Sequence, residues 1–511
     1  MDQLQVQTVS CRGGLDTSRD VLSQGQEQPG SATRLINYEP SLNGGYRRIS
    51  GFTNSYGLVP GTGKVLGVCV ANNVNDGILA CRTPSSGSNY IHKWNNSTES
   101  WDAITTSGSP TMSGVSRVRM IPYNFTDDKI LLVDGVNPAA YYDGTTYTQI
   151  THASAPSAPS IGVDFKNHIF LAGDSSEPYN LHFSAPFDEA DFAPASGAGN
   201  INVGFEIVQL KAFRDELYIF GTNQIKKLAG TSIADFVVAT VTSDLGCIAA
   251  DSVIEIAGDL LFLGPDGLRP VSGTDKIGDV NLETVSKPIQ AIVSDIIENQ
   301  DLDKLSTVVV RQKSQFRIFF ETAETLGVIG GLRQNPNGIA FEFGQLLGVD
   351  ATCASSGYIG KTEYVIHGDS DGKVHKQEFG NSFDGTEIFS LFQTPYFYFG
   401  DTEIRKIFYK VATFFRSEGT NNIILSVVYD YEDQNVSNPG NFILSTEGAA
   451  AFYNEAQYDA TAIYDGNPSP VIETNFSGSG KSVSFRYVTN DSNASHNIQG
   501  LSILFGLGDR R

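Results

Sequence analysis

Cysteine, tryptophan, charge and long apolar runs are all scarce in this chain. The five cysteines, Cys11, Cys69, Cys81, Cys247 and Cys353, are scattered through 511 residues and odd in number. No Cys-x-x-Cys occurs, which argues against a disulfide framework or zinc module and predicts buried free thiols. No apolar run approaches the ~18 residues of a membrane span. The opening Met1-Asp2-Gln3-Leu4 lacks a basic region followed by an apolar run, so no secretory leader is read and synthesis in a cytoplasm is expected. There is no Gly-x-Ser-x-Gly elbow and no Walker-type phosphate loop. Charged residues make up only 18% of the chain, low for a free soluble monomer, which points to surface buried in an assembly. Cations are the scarcer sign: the net charge is −22, a surface that repels phosphates and excludes a nucleic-acid reader by charge.

What the chain does have is a recurring unit: a short apolar strand, a tight Gly/Asp turn and a second strand. It reads at Glu216 to Phe220, then Gly221-Thr222-Asn223-Gln224, then Ile225 to Leu228. It returns around Gly264-Pro265-Asp266-Gly267 and around Gly368-Asp369-Ser370-Asp371-Gly372, with looser copies at Lys129 to Val133, His168 to Ala172 and Phe316 to Phe320. Copies roughly 40–55 residues apart fit the four-stranded blades of a β-propeller. Glycine supplies the positive φ of the hairpin turns. With 52 glycines and 11% aromatics the chain reads as all-β.

Three parts are expected. Residues 1–58 form an extended N-terminal arm with docking strands, residues 59–390 a propeller of about six to seven blades, and residues 391–511 a C-terminal β-sandwich. The arm is polar and turn-rich, with two short strands around Asn43-Gly44-Gly45. The propeller opens with strands at Val65 to Val70, Gly77 to Arg82 and Asn89 to Trp94, where Trp94 and Trp101 serve as packing anchors. Residues 284 to 297 carry one helix, with Ile289, Ile292, Val293 and Ile296 at helical spacing and Pro288 in its first turn. From Lys406 onward longer strands alternate with period two.

No convergent chemistry stands out. The histidines are dispersed, and Asp369-Ser370-Asp371-Gly372 lacks the oxygen positions and closing glutamate of a calcium loop, so it reads as a plain turn. No metal, cofactor or catalytic residue is expected, and the chain is read as not an enzyme. Arg34, Arg47 and Arg48 are the candidate interface residues, with Arg47-Arg48 either a solvated edge or a contact with an acidic neighbour. Asp188, Glu189 and Asp191 cluster in one loop, where mutual repulsion predicts a solvated acidic surface, the candidate channel surface named here.

The order Gly13-Gly14-Leu15-Asp16-Thr17, Leu35-Ile36-Asn37-Tyr38-Glu39-Pro40 and Gly44-Gly45-Tyr46-Arg47-Arg48-Ile49-Ser50-Gly51-Phe52 resembles the opening of tail structural proteins of short-tailed bacteriophages, the podoviruses. Tyr179 to Pro186 with Asp191-Phe192, Leu245 to Val253, and Ile463 to Pro470 through Gly506-Leu507-Gly508 are similar to later parts of that family. The resemblance implies a virion tail nozzle, a propeller protein ringed in six copies below the portal and adaptor. It would extend and close the DNA ejection channel, dock spikes or fibres and a needle or plug, and let genomic DNA pass without specific binding. Assembly would occur in the host cytoplasm. The alternative from another class is a carbohydrate-binding or glycan-hydrolysing propeller acting in receptor recognition.

Overall fold

The fold is that of a computed structural model, which describes residues 4–71, 77–87, 89–108, 110–274, 284–335, 338–446 and 470–508. The recurring apolar strands turn out to share one position. Each is the second strand of a propeller blade: Ile78–Thr83, Asp128–Val133, His168–Ala172, Glu216–Phe220, Asp259–Gly264, Gln315–Phe319 and Thr362–Gly368. Alternate side chains of such a strand leave opposite faces of the sheet, and in a propeller both faces meet a neighbouring blade. Leu131 and Val133 therefore pack toward blade three while Ile130 and Leu132 pack toward blade one. Leu217 and Ile219 face blade three, and Tyr218 and Phe220 face blade five. Burial on both sides explains why these stretches read as continuous apolar runs.

Seven blades close the ring. Blade one is Thr62–Val70, Ile78–Thr83, Ile91–Asn95 and Ser100–Ala103. Blades two to four follow the same antiparallel order from Arg119, Ile161 and Gln209, and blade two gains the parallel strand Thr105–Ser107. Blade five has three described strands, Ile254–Ile256, Asp259–Gly264 and Gly267–Pro270. The helix expected near residue 290 is Gln290–Asn299, and it turns Val293 and Ile296 into the core shared by blades five and six. Blade six runs from Ser306–Val310 to Gly338–Leu346. Blade seven takes Cys353–Ile359, Thr362–Gly368 and Val374–Gln377 from late in the chain and its outer strand, Phe52–Thr53, from the start. The first strand of blade seven then lies beside that of blade one, and Ile366 and Val374 share a core with Val65, Val68 and Trp94.

The sandwich is as expected in type. Its first sheet runs through Lys406–Ser417, Val471–Gly480 and His496–Leu507, and its second through Ile388–Gln393, Val483–Asp491, Asn422–Tyr429 and Phe442–Ser445. Phe408, Phe415, Tyr487, Leu501, Ile503 and Phe505 are buried between the two.

The N-terminal segment departs from the arm expected of residues 1–58. Leu4–Ser10 pairs along its whole length with the last strand of the sandwich, from Leu4 opposite Gly506 to Ser10 opposite Gly500. Tyr38–Pro40 and Tyr46–Arg48 form a hairpin that joins the same sheet. Arg34–Ile36 lies between the outer strand of blade six and Ile388–Gln393, so one nine-stranded sheet runs from the propeller into the sandwich. These pairings satisfy backbone groups that a free arm would leave to water. Gly14 fits because its φ is +68° and a Cβ there would come within 2.6 Å of the Phe343 amide nitrogen. The sandwich also begins earlier than residue 391, at Ile388, and includes three N-terminal strands.

Candidate functional site

Propellers carry a chamber where the first strands converge on the axis. Here it has a volume of about 300 Å³ and is lined from several blades, with Val68, Arg117, Arg119, Lys211, Asp251 and Thr307 among its walls. Arg119 donates from Nε and Nη2 to the two oxygens of Asp251, both at 2.8 Å, and Arg117 pairs with the same carboxylate. Burial would raise the Asp251 carboxyl, but the two guanidiniums override it and hold the group down to about 2. Arg117 also donates to the carbonyls of Leu305 and Thr352 at 2.7 Å, fastening blade two to blades six and seven across the axis. Lys211 is lowered by burial, with Glu255 and Asp164 opposing the shift. No aromatic ring is among the described residues lining the chamber.

The larger cleft, about 420 Å³, opens where the N-terminal hairpin, blade six and the sandwich meet. Its floor is an ion network. Glu39 accepts from Lys313 at 2.6 Å, Arg47 at 3.1 Å and Arg317 at 3.3 Å. Lys313 and Arg317 also pair with Glu378. Burial pushes both carboxyls up; Lys313, Arg317 and Arg47 outweigh it at Glu39, and Arg317 and Lys313 hold Glu378 down to about 2. Beside this network, His367 and His375 stack at 4.9 Å with Phe52 against both edges, and His375 Nε2 lies 2.8 Å from Asp369. The Asp369 turn is thus a hairpin whose carboxylate is taken by His375 and by the Lys373 amide at 2.7 Å.

The candidate interface arginines divide. Arg34 is exposed on the strand that links blade six to the sandwich. Arg47 does meet acidic neighbours, but within its own chain: Glu418 at 2.6 Å and Glu39. Arg48 is buried, pairs with Asp491 at 2.9 Å and donates to the carbonyls of Asn493 at 2.9 Å and Ile388 at 3.1 Å. Desolvating a guanidinium demands such partners, so Arg48 is a fastener of the sandwich and not a free contact. The acidic trio departs from a shared solvated surface at one member. Asp188 and Asp191 cap the Ala190 and Ala193 amides in an exposed loop of blade three, whereas Glu189 is buried and paired with Lys129 of blade two at 2.6 Å. Sequence reasoning missed the Glu39 network and the axial Arg117, Arg119 and Asp251; their partners lie too far apart in the chain to form a motif.

All five cysteines are free and buried. Trp94 and Trp101 stand opposite each other in blade one with ring centroids 5.4 Å apart. No group of ligand-type side chains that could hold a metal occurs among the described residues. No helix among them is long and apolar enough to cross a membrane.

No family model matches the chain, and no curated protein matches it. Among solved structures it is similar to the extracellular domain of a one-component system from B. thetaiotaomicron, with 9% identity and a TM-score of 0.39 over 65% of this chain and 40% of that one. An ancestral GH74 enzyme overlaps with 11% identity and a TM-score of 0.38, over 72% of this chain and 52% of that one. Kluyveromyces lactis Hsv2 overlaps with 9% identity and a TM-score of 0.29, over 56% of this chain and 98% of that one.

Proposed function

We propose that this protein is a non-catalytic structural component of a short-tailed phage tail, the nozzle ring through which DNA leaves the particle. The observation that carries the reading is the joint: propeller and sandwich share one nine-stranded sheet and one core, giving a rigid body without a hinge strand between them. A conduit subunit under load needs that stiffness. The N-terminal stretch that resembles phage tail proteins is also one the joint depends on. Leu15 donates to the Phe343 carbonyl at 2.8 Å, Tyr46 donates to the Gly30 carbonyl at 2.6 Å, and Arg48 fastens the sandwich. Part of the C-terminal stretch of that resemblance, residues 463–469, lies outside the described residues.

In this reading six copies form a closed ring on the adaptor and portal, dock spikes or fibres and a plug, and present an acidic lumen that keeps DNA sliding. Asp188 and Asp191 remain candidates for that lumen. The alternative, a carbohydrate-binding or glycan-hydrolysing propeller, would use the axial chamber. Glycoside hydrolysis takes two carboxylates, one of them kept protonated, and Asp251 is instead locked as an anion by two arginines. The test of the nozzle reading is deletion of the gene in a phage that carries it: particles should fill with DNA yet lack a closed tail exit. Normal tails in the deletion strain would refute it.

A further inference from the structure

The wide cleft between the N-terminal hairpin, blade six and the sandwich carries an excess of positive charge on a strongly acidic protein. Four cations line it, Arg47, Lys313, Arg333 and Arg416, against two carboxylates, Glu39 and Glu418. Arg47 and Lys313 are spent on those acids and on Glu378. The other two are not. Arg333 is only 7% exposed and makes no ion pair at contact distance among the described residues, although Glu39 and Glu342 lie near enough to favour its charge. It bonds to carbonyls alone: Pro40 from Nε at 2.9 Å and from Nη2, and Lys313 and Leu332 from Nη1 at 3.1 and 2.7 Å. Of a guanidinium's five N–H groups, this leaves one at Nη2. Arg416 is exposed on the facing sandwich strand, and its side chain has neither an ion pair nor a hydrogen bond among the described residues.

We propose that this cleft is a docking site for an acidic peptide segment of a partner protein. An Asp or Glu carboxylate seats against the Arg416 guanidinium, with the spare Arg333 N–H beneath it. A planar guanidinium with all its donors free is the group that grips a carboxylate bidentately. The cleft's outer wall favours a peptide over a nucleic acid. Leu42, 58% exposed, offers an apolar surface to the residue beside the carboxylate. A polyphosphate, with a charge on every phosphate, meets more repulsion from a protein of charge −22 than a peptide with one or two carboxylates. The inference concerns this chain's own cleft and stands apart from the tail reading.

The test uses the full chain and a fluorescent Ser-Leu-Glu-Glu-Leu-Ser peptide, with its Gln-for-Glu twin as control, followed by anisotropy. Saturable binding of the Glu peptide that weakens with salt is expected. Arg416→Ala should weaken it by about tenfold, the scale of one charge-assisted contact, and Arg416→Lys by less. Arg416 is exposed, so both variants should keep the wild-type melting temperature. Binding that ignores Arg416→Ala, equal binding of the Gln twin, no binding at all, or displacement of the peptide by a single-stranded oligonucleotide would each overturn the proposal.

Discussion

Glu39 and Arg317 meet 3.3 Å apart, both only 3% exposed, one from the N-terminal hairpin and the other from the second strand of blade six. The contact closes a span of 278 residues and fixes the hairpin to the propeller wall. Removing one member of a buried pair leaves the other charge desolvated and alone. Arg317→Met should therefore cost about 3–5 kcal/mol of unfolding free energy in urea at neutral pH. A loss below about 1 kcal/mol would show that the network is solvated in solution.

The same network sets an acid limit. Glu39 and Glu378 lie below the usual glutamate range, because nearby cations outweigh burial. A depressed carboxylate contributes stability above its unfolded value, about 4.3, and loses it as pH falls toward the folded value. For Glu378 that window ends at about 2. Melting temperature should fall through this range, and the fall should be shallower in Arg317→Met, where the cation is gone. Equal slopes in the two proteins would remove Arg317 as the cause.

The N-terminal segment should be indispensable to folding. Removing residues 1–58 takes away the outer strand of blade seven and the strand between blade six and the sandwich. Scanning calorimetry should show loss of the cooperative transition. The milder Phe52→Ala, which removes the ring stacked on Phe383 at 4.8 Å, should cost about 2 kcal/mol. An unchanged melt after truncation would mean that the segment docks without supporting the ring.

The cysteines give a simple check on packing. Burial pushes the Cys11 and Cys69 thiols up to about 12 and those of Cys247 and Cys353 to about 11. The thiolate is the reactive form, so a thiol reagent at pH 8 should label none of the five in the native protein and all of them in denaturant. Rapid labelling of any one would place it at the surface.

The blades were legible in the sequence because each second strand is local: its apolar run and its turn lie within a dozen residues. His168 to Ala172 and Glu216 to Phe220 are strands with the bounds expected. Among the N-terminal strands the hairpin around Asn43-Gly44-Gly45 was legible from its turn, but Arg34–Ile36 was not, since it is three residues long and has no period to read. Its partners, Gln345 and Leu391 to Gln393, lie hundreds of residues away. The paired Arg47-Arg48 could be seen as basic but not as divided, one half-buried against Glu418 and the other sealed in the sandwich. Glu189 failed in the same way: its partner Lys129 comes from another blade, and a loop of three acids looks alike whether or not a lysine reaches one of them.

Oligomeric state tests the central claim most directly. A nozzle subunit should form a closed, head-to-tail ring, six-fold in negative-stain images of the purified protein alone or seated on its adaptor ring. A protein that stays monomeric at every concentration, with and without that adaptor, would contradict the account and return the propeller to the ligand-binding alternative.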